Sequence, residues 1–179
     1  MNQTILAAVS AVAGFIAKSV WDLYWNRRES IAGVARQKRI DFLERQLADF
    51  YWPIYLRLQK DNVVWETILD RRPASDPLRQ SIAGELDRKY ILPNHEEVVR
   101  LIEAGMHLAQ CDAKLENALL HYMRHVAIYR ALRDTGCFDK DPIALGEPWP
   151  QELFPLIQER TKSLQKEYDL LISRRGLSG

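Results

Sequence analysis

Cysteine is scarce in this chain of 179 residues, with only Cys111 and Cys137 present. Two thiols so far apart give neither a disulfide framework nor a zinc-ligand spacing, which suits a reducing compartment. The eight glycines are scattered, and no Gly-rich phosphate loop can be built from them. No serine or cysteine sits in a nucleophile motif. No segment alternates apolar and polar residues as a half-buried strand does. Neither charge dominates: 25 Lys and Arg face 24 Asp and Glu, a formal net charge of +1. That balance argues against general nucleic-acid binding by charge. No cofactor is implied, and no internal repeat or low-complexity tract is present.

What the sequence does have is an apolar start. From Ile5 to Ala17 there is no charged residue. Extended to Trp25, the run has about 22 residues, or roughly 33 Å as a helix, enough for a ~30 Å hydrocarbon core. Lys18 and Asp22 fall near its end, four apart and on one face. Trp21, Tyr24 and Trp25 cluster there as an interfacial aromatic belt. No Lys or Arg precedes the run, whereas Arg27, Arg28, Arg36, Lys38, Arg39 and Arg45 follow it. The positive-inside rule then places the N-terminus outside and the rest in the cytoplasm of a cell with an inner membrane. A cleaved signal peptide lacks its basic n-region here. A buried core helix and an interfacial helix are the other readings, and the second wants a stronger polar face than Ile5–Ala17 provides. Ser10, Gly14, Lys18 and Asp22 step by four, so small residues and a pairable charge couple share a stripe along which anchors can self-associate.

The remainder reads as helices. Ile40, Leu43, Leu47, Phe50 and Ile54 recur at intervals of three and four, the seam of a packed helix. Pro53 predicts a kink or break near Tyr51 or Trp52. The aromatic residues around it, Tyr51, Trp52 and Tyr55, either join the core or frame a groove for a partner. Asp76 before Pro77 reads as an N-cap. Ile91-Leu92-Pro93 reads as a break, with Asn94 and Glu97 opening the next helix as a capping box. Asp112 caps a helix from Ala113 to about Asp134, with Leu115, Leu119, Tyr122, Val126 and Tyr129 as one stripe and Leu120, Met123, Ala127 and Ala131 widening it. Gly136 ends it. Trp149, between two prolines, plugs the bundle's end. A last helix to about Arg174 carries Ile157, Thr161, Leu164, Tyr168 and Leu171.

The fold class expected is therefore all-α: a transmembrane anchor over residues 1–26, then a cytosolic bundle of about five helices over 27–179 with a long, Pro-kinked first helix. Of the four histidines, His121 and His125 lie four apart on one face, as do Glu103 and His107 on the preceding helix. Were the two helices in register, these four would form a metal site, though no HExxH or repeated Glu-x-x-His is present. The functional expectation is a non-enzymatic, membrane-anchored interaction protein. It would touch lipid and a protein partner or itself, and no nucleic acid. A membrane-perturbing effector is the alternative. An enzyme using His107, His121 and His125 is the third reading.

Overall fold

The computed structural model describes residues 3–69, 71, 73, 75–137 and 140–176, with side chains described from Phe15 onward except at 17, 69 and 174–176. All regular structure in these residues is helical. Helix α1 spans Gln3–Gln46 and continues through a π-helical turn, Leu47–Tyr51, into α2, Trp52–Val64, and a second π turn, Trp65–Leu69. Helix α3, Pro77–Leu86, runs through a π turn, Asp87–Ile91, into α4, Leu92–Ala109. Helices α5, Ala113–Asp134, and α6, Leu153–Gly176, follow, with a short 3₁₀ turn, Pro142–Leu145, between them.

The described chain thus forms four continuous helical rods rather than five helices, and the two prolines show why. Proline lacks an N–H, and its ring collides with the carbonyl four residues back. Before Pro53, the Trp52 N–H reaches Leu47 O, five residues back. Before Pro93, the Leu92 N–H reaches Asp87 O in the same way. A wide π turn at each place accommodates the ring and keeps the rod helical. The break expected at Ile91-Leu92-Pro93 is therefore corrected to a π turn, and Asn94 is not an N-cap but a buried mid-helix residue.

The N-caps at Asp76 and Asp112 are present. Asp76 accepts from the Leu78 and Arg79 amides, and Asp112 from the Leu115 amide at 2.9 Å. Gly136 follows α5 with a left-handed φ of 78°, a conformation that glycine adopts at little cost.

By its internal contacts the chain falls into two compact units, Met1–Phe42 and Leu43–Gly179. Within the first unit the large side chains from Phe15 to Val34 are exposed. Trp25 packs edge-on against Trp21 and Tyr24, with the Arg28 guanidinium over its ring at 5.6 Å. Among the described residues no helix is long and apolar enough to cross a membrane. The expected spanning helix over 1–26 is thus without support here. Lys18 and Asp22 lie exposed inside it. The side chains of Ile5–Gly14, which carry the apolar run, and with them Ser10 and Gly14 of the proposed stripe, lie outside the described residues.

The second unit is a four-helix bundle. Helix α2 packs on α4 and α6, and α5 packs on the same two. Neighbours run antiparallel: Tyr51 reaches Ala109 and Asp61 reaches His95, while Arg133 reaches Asp87 and Arg130 reaches Glu96. Leu43, Leu47, Phe50, Ile54 and Leu58 of the first rod are buried, as are Val98, Ile102, Leu115, Leu119, Tyr122, Val126, Ile157 and Leu164. Leu120, Ala127 and Ala131, expected to widen the α5 stripe, face solvent, because they lie off the sides of α5 that α4, α6 and the 3₁₀ turn cover. Gly105 is needed where it stands: a Cβ there would lie 2.6 Å from Phe50 Cδ2. The carbonyls left open at the end of α4 are capped from the first rod. Gln46 Nε2 donates to Leu108 O, and the Tyr51 hydroxyl donates to Ala109 O.

Candidate functional site

The most chemically loaded place in the bundle forms where α2, α4 and α5 meet the Lys140–Trp149 segment. Three seam positions that periodicity would fill with apolar residues hold titratable ones instead. Asp61 continues the α2 seam one turn past Leu58. His95 precedes Val98 and Ile102 on α4. His125 adjoins Val126 on α5. The antiparallel packing brings all three to one end of the core.

His95 Nδ1 lies 2.8 Å from Tyr122 Oη and 3.3 Å from Asp61 Oδ2. The His95 side chain is 8% exposed and that of Asp61 13%. Burial drives the two groups in opposite directions on the pH scale, because it opposes charge on each. It lowers His95 to about 4, with His125 adding to the effect. It raises Asp61 to about 6, against the opposing hydrogen bond from Asn94 and the nearby charges of Lys60 and Arg57. Tyr122, buried beside them, is raised well above its ordinary value, first by burial and then by Asp61. The close approach of Asp61 and His95 at neutral pH is thus between a carboxylate and a neutral imidazole, not between two charges. Asn94 holds the arrangement from the α4 side. Its Nδ2 donates to Arg57 O at 2.9 Å, and its Oδ1 accepts from the Arg57 guanidinium at 3.2 Å.

Trp149 covers this cluster. Its ring centroid lies 5.4 Å from that of His95, 5.5 Å from Tyr122 and 5.2 Å from His125. The plugging role that its flanking prolines suggest is therefore met, with aromatic partners that its neighbours in sequence do not reveal. The loop that carries it is strapped to α5. His125 Nδ1 sits 3.0 Å from the Glu147 carbonyl oxygen, which can only accept, so the proton is on Nδ1. His121 Nε2 and Arg124 Nε approach Glu147 Oε1 at 3.3 and 3.1 Å. Burial lowers His125, and the carbonyl bonds to Glu147 and Pro148 oppose that shift. At the other end Arg133 donates to Asp87 at 2.5 Å and to the carbonyls of Cys137 and Lys140, while lying 4.5 Å from the Tyr129 ring centroid. A cavity of about 510 Å³ opens beside Asp61, His95, His125, Tyr129, Arg133 and Trp149.

The other residues singled out from the sequence separate. Glu103 and His107 are not turned into the core of α4 as His95 is. The antiparallel register sets His95, not these two, opposite Tyr122 and Tyr129. The four-residue metal grouping of Glu103, His107, His121 and His125 is therefore not assembled, and the i, i+4 histidines grip a loop instead. Among the described residues no three His, Cys, Asp or Glu side chains are placed to hold a metal ion. Tyr51 is fully buried. Trp52 Nε1 donates to Gln165 Oε1 at 3.2 Å. Tyr55 stacks on Phe154 at 5.6 Å and accepts from Gln158. Tyr51 thus packs against the end of α4, and Trp52 and Tyr55 against α6.

Asp61 and His95 do not stand out in the sequence for one reason. Asn94 and Glu97 match a capping box, and that match places His95 in a first turn rather than on a seam. The signal that finds them is a titratable residue at a position that the 3–4 periodicity reserves for the core. No family model, curated protein or solved structure matches this chain.

Proposed function

We propose that this is a non-enzymatic helical protein that works at a membrane, its N-terminal helix held in the bilayer and its four-helix unit offered to a protein partner on the cytoplasmic side. The observation that carries the reading is the exposed aromatic cluster Trp21, Tyr24 and Trp25 with Arg28 against it. Amphipathic rings with an adjoining cation are what a lipid–water interface favours. The uncharged run from Ile5 to Ala17 ahead of the cluster and the basic residues behind it support the same orientation.

Flotation of the full-length chain with vesicles of phosphatidylcholine and phosphatidylglycerol tests this. The wild type is expected to float, and Trp21→Ala with Trp25→Ala to lower the floated fraction. Resistance to an alkaline wash supports an anchor that spans, whereas release by that wash supports a helix lying in the interface. A full-length chain that stays at the bottom of the gradient would exclude the membrane reading altogether.

A further inference from the structure

We propose that the cavity between α2, α4, α5 and the Lys140–Trp149 segment binds a small organic cation, an ammonium or amidinium group on a flat or apolar body, with Asp61 as its counter-ion. The volume of about 510 Å³ is that of a small-molecule site. Chemistry selects the sign of the ligand.

Asp61 Oδ2 is buried and has no hydrogen bond among the described residues. His95 Nδ1 comes within 3.3 Å of it, but the shorter contact of that nitrogen, 2.8 Å, is with Tyr122 Oη. A buried acceptor left without a donor is costly, and a ligand N–H removes that cost. Asp61 is also one of the residues that line the cavity, so its carboxyl group lies beside the space the ligand would fill. With burial raising it to about 6, Asp61 is ionised at neutral pH and offers a charge as well as a lone pair.

The basic groups of the lining are less available. The Arg133 guanidinium is bound to Asp87 and to two backbone carbonyls. Burial disfavours the charged forms of His95 and His125. Lys140 is exposed at the rim. An anion would therefore meet one rim ammonium, whereas a cation meets a carboxylate set deep in the wall. Asp141, the other acid of the lining, already caps the short 3₁₀ turn by accepting from the Ala144 amide.

The body of the ligand is indicated by the rings. Trp65, Tyr129 and Trp149 line the same space. Aromatic faces attract a desolvated cation and pack against a planar group. A cavity that holds a carboxylate and the rings of Trp65 and Trp149 discriminates amine-like molecules from neutral molecules of equal size, because only the former bring a charge complementary to the carboxylate.

Calorimetric titration of the full-length protein in detergent with benzamidine tests this, using benzamide and benzoate as its neutral and anionic counterparts. Benzamidine is expected to bind and to raise the melting temperature, and the counterparts to do neither. Asp61→Asn should weaken benzamidine binding about tenfold or more. Lys140→Gln, at an exposed position that the fold does not need, should strengthen it about two- to fivefold by removing a like charge at the rim. If Asp61→Asn does not fold, the Lys140→Gln result decides. Tighter binding of benzoate than of benzamidine would overturn the proposal. So would absence of benzamidine binding at millimolar concentration, or an affinity that neither variant changes.

Discussion

The stretches Phe15–Val34 and Leu43–Leu58 are both helical and both rich in large apolar side chains, yet one exposes them and the other buries them. Leu23 is 72% exposed and Leu43 is 0% exposed. In the second stretch the buried residues form a single seam at intervals of three and four, which another helix can cover. In the first, Phe15, Ile16, Val20, Trp21, Leu23, Tyr24 and Trp25 wind round most of the helix. A single packed helix cannot cover such a surface, whereas a lipid environment can. The arrangement of apolar residues, not their number, separates a helix whose apolar side chains a neighbour buries from one whose apolar side chains stay exposed.

The most direct way to break this contrast is to truncate one leucine on each side of it. Leu43→Ala should lower the unfolding free energy by about 2–5 kcal/mol through lost burial and the cavity left behind. Leu23→Ala should change it by less than about 0.5 kcal/mol while reducing vesicle binding. Chemical denaturation of the full chain in detergent, monitored by circular dichroism, measures both. Equal losses would mean that the first stretch has its own folded partner.

The buried polar end of the second unit sharpens the contrast through pH. His95 titrates near 4 in the fold against 6.5 ordinarily, so its contribution is lost as pH falls from 6.5 towards 4. Asp61 titrates near 6 against 3.8, so its contribution is lost as pH rises from 3.8 towards 6. Each amounts to roughly 3 kcal/mol, and the signs are opposite, so in the wild type the two offset one another over pH 4–6.5. Asp61→Asn leaves the histidine alone and should make the bundle less stable at pH 4.5 than at pH 7. His95→Gln leaves the acid alone and should do the reverse. Urea melts at the two pH values read this directly, and parallel profiles for all three proteins would dismiss the opposed titrations.

Two glycines give a smaller contrast between the regions. Gly105→Ala drives a methyl group into the Phe50 ring and should cost about 1–3 kcal/mol. Gly33→Ala, with nothing within 4 Å of the added carbon, should stabilise α1 by about 0.5–1 kcal/mol. Thermal melts of the two variants should therefore shift in opposite directions. A shared direction would place Gly33 against an unseen neighbour.

The seam from Leu43 to Ile54, the caps at Asp76 and Asp112, the turn at Gly136 and the plugging role of Trp149 are all legible from the residues alone. Each depends on residues close in sequence and on rules of helix geometry. The prolines are harder to read for a related reason. A proline forbids an ordinary helical hydrogen bond, but only the surrounding packing chooses between a break and the π turns seen before Pro53 and Pro93.

Local patterning thus accounts for the helical character of the chain, for the inward faces of α2, α4, α5 and α6, and for the point where the strongly apolar first segment stops. The meeting of Asp61, His95, Tyr122 and Trp149 belongs to the packed bundle, as does the separation of Glu103 and His107 from His121 and His125. Periodicity specifies a face but not the partner across it. Antiparallel register, set by loop length and by the packing of Gly105 against Phe50, decides which residues on facing helices lie side by side.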